Sequence, residues 1–481
     1  MENSLSFFNT SEYVLKPLQD KPFINKINSF LYTPYFLLVV GLLTAISYLF
    51  SAEAVVYSVF SAIAIFILLL GTDFLPIVPM VVCCYIAPSA NNNPGAHQNS
   101  FFYTCGGYVA LLGVIIALSF IFRIVFDKQL GGKNFFNCPR KLTLGILILG
   151  LSYMLGGIGS GNYFANGFSN LLFAFLQFIS LFLFYFVFTG GINWEKVPKN
   201  YFSMVGVCIG LILLVEIVSI YFTNDVIVSG QIYRILIYSG WGNYNNIASL
   251  LVMMIPFAFN LAFNSKRFGT FLFVALLFCC GVIACCSRGS ILVCFIVIVL
   301  CVILLLIGSK NKLLISVFVV SALVGLFIAF CLFKEQFVNL FTDMISSGLD
   351  SAPRILGYKQ GIAQFLDSPI FGGSFYPTDP DLYSWSSIDS FIAFFPPRWH
   401  NTFIQMLASC GIVGLGAYLY HRVQTIILLW KNRSYKNIFI SISILALLLT
   451  SLLDCHFFNI GPALFYSTAL AFIEKDNKNP L

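Results

Sequence analysis

The chain has 481 residues, of which 59% are hydrophobic and only 9% charged. Soluble domains carry about 25% charged residues, so too little polar surface is present to cover this core, and lipid must solvate much of the chain. The net charge of +7 does not signal nucleic acid, because the basic residues are scattered between apolar runs and form no patch.

Residues 1–30 are mixed and polar, with Lys16, Lys21 and Lys26 ahead of the first apolar run. No cleavable signal peptide is expected there, and the first apolar segment would act as an uncleaved start signal. A spanning helix needs about 20 apolar residues. Candidate spans follow at 31–50, 53–71, 73–88, 101–122, 142–157, 168–191, 201–222, 246–264, 270–286, 289–308, 314–333, 401–420, 437–455 and 458–473. The runs 73–88, with Pro76 and Pro79, and 142–157 are short. The runs are too long and too uniformly apolar for the alternating strands of a membrane barrel. The expected fold class is therefore an all-α polytopic membrane protein with about 12–14 transmembrane helices.

Lys and Arg set the orientation. With the N-terminus inside and the spans alternating, 20 of the 26 basic residues fall on the cytoplasmic side. The exceptions are Arg234, Arg288, Lys334, Arg354, Lys359 and Arg398. The domain map is then a cytoplasmic segment 1–30, helices over 31–333, a large extracytoplasmic loop 334–399, C-terminal helices over 400–473 and a cytoplasmic tail 474–481. A loop that long between late helices usually has a task. Within it, 355–366 reads as an amphipathic helix. No repeat of fixed period is visible.

The cysteines lie in or beside apolar runs, some as adjacent pairs such as Cys285-Cys286, and act as small apolar residues. No metal-ligand spacing is present, and neither a metal nor another cofactor is expected. Glu216 sits mid-span, where an acid either serves a proton or ion path or pairs with a polar neighbour. Asp454 and His456 lie at an outer helix end. His421 is expected at an inner, interfacial end, and His97 in a solvent-facing loop.

The outer arginines are the residues topology does not explain. Arg288, in Ser287-Arg288-Gly289-Ser290, is either a snorkelling side chain or an anion clamp, since guanidinium pairs with phosphate bidentately and stays charged. Arg354 opens the loop helix, either solvated or as a second clamp. His400 follows Arg398-Trp399 and leads through Asn401 into a helix. It is either a hydrogen-bonded structural residue or a general base. Arg234 precedes Gly240-Trp241-Gly242-Asn243-Tyr244-Asn245-Asn246, which suits a sugar or head group as well as a plain interfacial belt.

Together these stretches resemble the O-antigen ligase and O-antigen polymerase (Wzy) superfamily. The resemblance rests on Arg234 with 240–246, on Ser-Arg-Gly-Ser at 287–290, on Arg354 with Ser-Pro-Ile-Phe-Gly-Gly at 368–373, and on His-Asn-Thr-Phe at 400–403 running to Gly411-Ile412-Val413-Gly414. It covers about residues 230–420. It implies a GT-C-like, metal-independent glycosyltransferase of the bacterial inner membrane, acting on an undecaprenyl-pyrophosphate-linked oligosaccharide. His400, Arg288 and Arg354 would be catalytic. Arg234, Arg398, Asn401 and Trp399 would bind substrate, and Trp241 and Trp385 would offer rings to sugars. A polysaccharide polymerase is the first expectation. A ligase to the lipid A core is the second and a lipid-linked oligosaccharide transporter the third. Partners implied are the lipid bilayer and the chain-length regulator and flippase of such a pathway, with no nucleic acid.

Overall fold

A computed structural model describes residues 13–88, 105–127, 130, 132–164, 168–228, 231–309, 311–332, 352–376 and 398–475. Each apolar run of the sequence contains a helix. In chain order these are α1 (Lys16–Gln19), α2 (Pro22–Leu31), α3 (Pro34–Phe50), α4 (Glu53–Leu70), α5 (Ile77–Ile86), α6 (Gly106–Phe126), α7 (Gly132–Phe136), α8 (Thr143–Leu155), α9 (Ser169–Gly191) and α10 (Tyr201–Thr223). After a small antiparallel hairpin, β1 (Ile227–Val228) with β2 (Gln231–Ile232), come α11 (Tyr244–Asn264), α12 (Phe268–Ala284), α13 (Arg288–Gly308), α14 (Lys312–Leu332), α15 (Ala352–Asp367), α16 (Thr402–Lys431), α17 (Tyr435–Leu453) and α18 (Ile460–Lys475). The protein is an all-helical, polytopic membrane protein. Among the described residues eight helices are long and apolar enough to cross a membrane by themselves, and a ninth span arises if α2 and α3, bent by 73°, count as one. Helix α5 has 10 residues and α8 has 13, or about 15–20 Å at 1.5 Å per residue, short of the roughly 30 Å hydrocarbon layer.

The bundle is apolar inside and out, as lipid solvation requires. On α6 the exposed residues Leu111, Val114, Leu118, Ile121 and Val125 recur every three or four positions, a lipid-facing stripe at helical period. Few residues of α6 are buried, whereas most of α11 is, and α11 stands at the centre against α10, α12, α13 and α17. Some polar groups inside the bundle pair with one another: Ser249 meets Thr450 at 3.2 Å and Asn260 donates to Ser203 at 2.6 Å. That is the condition for burying them in a medium without water.

Helix α16 departs from the expected 401–420 span in two ways. It continues to Lys431, so His421 is not interfacial, and Arg422 is no cytoplasmic charge: both are buried in the bundle interior. It is also broken at Gly411, with φ 66° and ψ −160°, a region essentially reserved for glycine. Phe403 and Tyr418 flank the break and would lie about 22 Å apart along a straight helix. Their ring centroids are 5.6 Å apart, so the chain doubles back at Gly411. The part beyond the break, 412–431, is about 30 Å long and can span by itself.

The loop segment 368–374 repairs the broken backbone ladder. Ile412 N–H donates to Pro369 O at 2.9 Å, Val413 N–H to Ile370 O at 3.2 Å, and Gly373 N–H to Ala408 O at 2.7 Å. Gly372, at φ 72°, is the second glycine the joint needs, since a Cβ there would lie 2.5 Å from Cys410 N. The helix expected at 355–366 is present as α15, and it packs on the first part of α16 through Gln364, which donates to Ser374 O and Ala408 O. His97, Trp385 and Lys334 lie outside the described residues.

Candidate active site

Four chain segments meet at the end of the bundle where α16 begins and α17 ends. The first enters α11. Ser239 N–H donates to Gly242 O at 2.7 Å, closing a tight turn. Asn243 then caps α11 by accepting from the N–H groups of Asn245 and Asn246. Trp241 in that turn is buried and gives its indole N–H to Glu216 at 2.8 Å. Glu216 therefore pairs with a polar neighbour, and Trp241 pins the turn to α10 rather than offering its ring to a ligand.

The second segment is the start of α13. Ser287 is its N-cap residue yet makes no side-chain cap bond. Its hydroxyl donates instead to Asn245 Oδ1 at 2.7 Å and lies 3.0 Å from the Ser290 hydroxyl. Arg288 is the first residue of this 21-residue helix, and a helix start with its first-turn N–H groups favours anions. Arg234 is exposed on a single 3-10 turn nearby, its guanidinium 5.6 Å from the Tyr244 ring centre.

The third segment enters α16. Asn401 caps it, accepting from the N–H groups of Phe403 at 2.9 Å and Ile404 at 3.2 Å, and its amide donates to Leu452 O at 3.0 Å. His400, just before, has φ 51°. A non-glycine residue in the left-handed region stores strain, which collects at functional positions. Tyr358 on α15 donates to His400 O at 3.4 Å, and Arg354 lies one turn earlier on the same helix. Trp399 is 3% exposed. It packs under Gly361, where a Cβ would come 3.0 Å from its ring, so this ring joins α15 to α16.

The fourth is the turn 454–459 between α17 and α18. The Asp454 carboxylate lies 3.3 Å from His400 Nδ1, accepts from Asn245 Nδ2 at 3.3 Å and accepts the Cys455 N–H at 2.7 Å. Arg398 is tied to this turn through Cys455 O at 3.1 Å, Asn459 Oδ1 at 2.6 Å and Phe458 O at 3.5 Å. Asn459 in turn donates to Asn246 at 2.6 Å.

One hydrogen-bond chain therefore runs His400–Asp454–Asn245–Ser287 and joins all four segments, which lie far apart in sequence. It is directional. Ser287 donates to the Asn245 carbonyl oxygen, which leaves the amide nitrogen for Asp454. Burial alone pushes the Asp454 carboxyl up. The His400 hydrogen bond, the charges of His456 and His400 and the Cys455 N–H outweigh burial and hold it well below the usual carboxylate range. A carboxylate that stays ionised fixes the imidazole, with Nδ1 toward Asp454 and Nε2 on the far edge. The His400 side chain is 38% exposed and that of Asp454 15%: the imidazole is reachable and its carboxylate partner is covered.

Of the residues expected from sequence, His400, Arg288, Arg234 and Arg398 come together at this end. Asn401, Trp399 and Arg398 are occupied with holding backbone. Asp454, Asn245 and Ser287 were not expected in these roles. An acid beside an apolar helix end was the only sequence signal for Asp454, and an asparagine after a glycine turn carries none.

The profile of the family described as O-antigen ligase (Wzy_C) matches residues 272–419. The match runs from α12 into α16 and takes in Arg288, Arg354, His400 and the Gly411 joint, which agrees with the resemblance that the motifs carry. No protein of curated function matches the chain.

Proposed function

We propose that this chain, with its O-antigen ligase family segment, is a membrane glycosyltransferase that takes a glycan from a polyprenyl-pyrophosphate carrier and passes it to an acceptor hydroxyl. The observation that carries the reading is the His400–Asp454–Asn245–Ser287 chain beside Arg288. It holds an accessible imidazole and a cationic helix start at one end of a lipid-solvated bundle.

In the reaction the acceptor hydroxyl oxygen attacks the anomeric carbon of the donor glycan. His400 Nε2 takes its proton while Asp454 holds Nδ1 and stabilises the imidazolium. The bond from the anomeric carbon to the phosphate oxygen breaks, and the pyrophosphate leaves on its lipid. The charge that develops on it is met by Arg288 and the N–H groups of α13, with Arg234 and Arg354 as further cations for the phosphates. Arg398, Asn401 and Trp399 support the site from behind.

On this reading, which the charge asymmetry supports, this end faces the outer side of a bacterial inner membrane, with about 12–14 crossings in a GT-C-like bundle. The short helices α5 and α8 then cross only in company with neighbours. Undecaprenyl pyrophosphate is the carrier that fits. The first reading of the acceptor is a second lipid-linked repeat unit, which makes the protein a polysaccharide polymerase. The second is the lipid A core, and the ligase description of the matching family favours it. Purified protein with lipid-linked repeat units should give a ladder of chain lengths on a gel. Wild-type activity that persists in both His400→Ala and Arg288→Ala would sink the reading. Transfer only when lipid A core is supplied selects the ligase. Passage of the substrate across liposomes without transfer selects a transporter.

A further inference from the structure

Arg422 lies near the middle of the spanning part of α16, 8% exposed, and the reaction proposed above makes no use of it. Its Nη1 donates to the Tyr466 hydroxyl at 2.7 Å, which also meets His421 Nε2 at 3.0 Å and Thr425 at 3.1 Å. Nε and Nη2 have no hydrogen-bond partner among the described residues. The ion pairs among the described residues are Lys16–Asp20, Arg123–Asp127 and His400–Asp454, so no acid answers this charge there. Aromatic rings surround it instead: the guanidinium carbon lies 4.1 Å from the centre of Phe457, 4.5 Å from Tyr418 and 5.0 Å from Tyr466. A buried arginine without a counter-charge is a poor device for stability. It is a good one for fixing rings, because a planar cation stacks on their faces.

The ring it approaches most closely belongs to the turn that carries Asp454. Phe457 is held from below by Arg422, by Tyr418 at 5.7 Å and by Tyr466 at 5.5 Å. From the other side Arg398 holds the same turn by Cys455 O, Phe458 O and Asn459 Oδ1. We propose that Arg422 is a positioning residue: with Arg398 it clamps the 454–459 turn and so sets the Asp454 carboxylate against His400, without touching substrate. The proposal rests on the glycosyltransferase reading for its kinetic consequence, but its structural consequence stands apart from activity.

The test is Arg422→Met in the full chain, reconstituted in lipid nanodiscs, with hydrogen exchange read by mass spectrometry. Methionine fills the volume and removes an unanswered buried charge, so the variant is expected to fold with an unchanged Tm. Exchange should speed up in peptides covering 454–461 and 398–404 and stay as in wild type elsewhere. Phe457→Leu should reproduce that pattern with Arg422 intact, and the double variant should go no further than either single one. In transfer assays kcat should fall on the order of a hundredfold, the size associated with a misplacement of about 1 Å. KM for the lipid-linked donor should hold within about twofold, as expected when only transition-state interactions are lost. Unchanged exchange at 454–461 overturns the proposal whatever the activity. So does a raised KM with kcat intact, because Arg422 would then be binding the donor's phosphates itself. Localised exchange changes in a protein that transfers no glycan in its wild-type form would uphold the clamp and reject the glycosyltransferase reading.

Discussion

The two ends of α18 show opposite uses of charge. At its C-terminal end Arg140 spends all five of its N–H donors, on Thr189 Oγ1 and on the carbonyls of Phe135, Phe136, Cys138 and Phe186. There Glu474 accepts from the Lys141 N–H and the Tyr185 hydroxyl, and Lys475 donates to Pro139 O. At the N-terminal end Arg398 makes three hydrogen bonds, to Cys455 O, Asn459 Oδ1 and Phe458 O, and the His400 side chain stays 38% exposed with one ring nitrogen turned to Asp454. A polar cluster whose donors are all spent holds structure; a cluster that leaves one titratable group open is built to act on something else. The composition of the two ends is similar, so the lesson lies in counting donors rather than charges.

The largest expected contrast is between His400→Ala and Arg140→Ala. The first should lower glycan transfer by about 10²–10⁴, the usual contribution of a general base, with Tm unmoved. The second should lower Tm and folded yield while kcat per folded molecule holds. Equal loss of kcat in both, measured on folded protein, would break the comparison. Next, Arg288→Ala should slow transfer by about 10²–10³, as loss of a charge-stabilising donor does. Arg288→Lys, which keeps a charge but not the bidentate fork, should fall between.

Gly411→Ala sharpens the contrast in another way. The new Cβ would stand 2.3 Å from Ile370 O, at a φ of 66°. Backbone strain of this kind amounts to about 1–3 kcal/mol, so Tm should fall. The loss should spread to activity, since the joint carries the His400 segment. The smallest effect is the pH dependence of Asp454→Asn. The folded carboxyl is held below its ordinary value, so its contribution to stability is present above the unfolded value of about 4 and is lost only as pH falls further, through the depressed one. The Tm gap between wild type and this variant should therefore be constant from neutral pH down to about 5 and close only in stronger acid. A gap that closes near neutrality would show that Asp454 is not held ionised.

Helices were legible because the bilayer imposes one requirement on every segment, enough apolar length with internally paired backbone. Each expected run contains a helix, and α15 in the long loop showed its amphipathic period. Their crossing ability was less legible: α5 and α8 are short, and the 401–420 run hid a reversal. Periodicity is silent about a break when both halves are apolar, and Gly411 looked like any glycine in a membrane helix. The same blindness put His421 and Arg422 at an interface. A sequence shows that a charge stands beside an apolar run but not that aromatic rings from the 454–459 turn and α18 close over it.

The candidate site divides in the same way. His400, Arg288, Arg234 and Arg354 could be singled out because charge outside the cytoplasmic side has no topological reason to be there. The work of Arg398, Asn401 and Trp399 could not be told from substrate binding, because a cap, a carbonyl clamp and a ligand contact use the same chemical groups. Asp454 and Asn245 are 209 positions apart, and nothing local marks either as the other's partner. The sequence by itself determined that this protein is a lipid-solvated helical bundle with a few cations that its apolar pattern does not explain. Only the tertiary structure decided which of those cations are spent on the fold, because hydrogen-bond saturation is a property of distances between chain segments that the bilayer requirement leaves free.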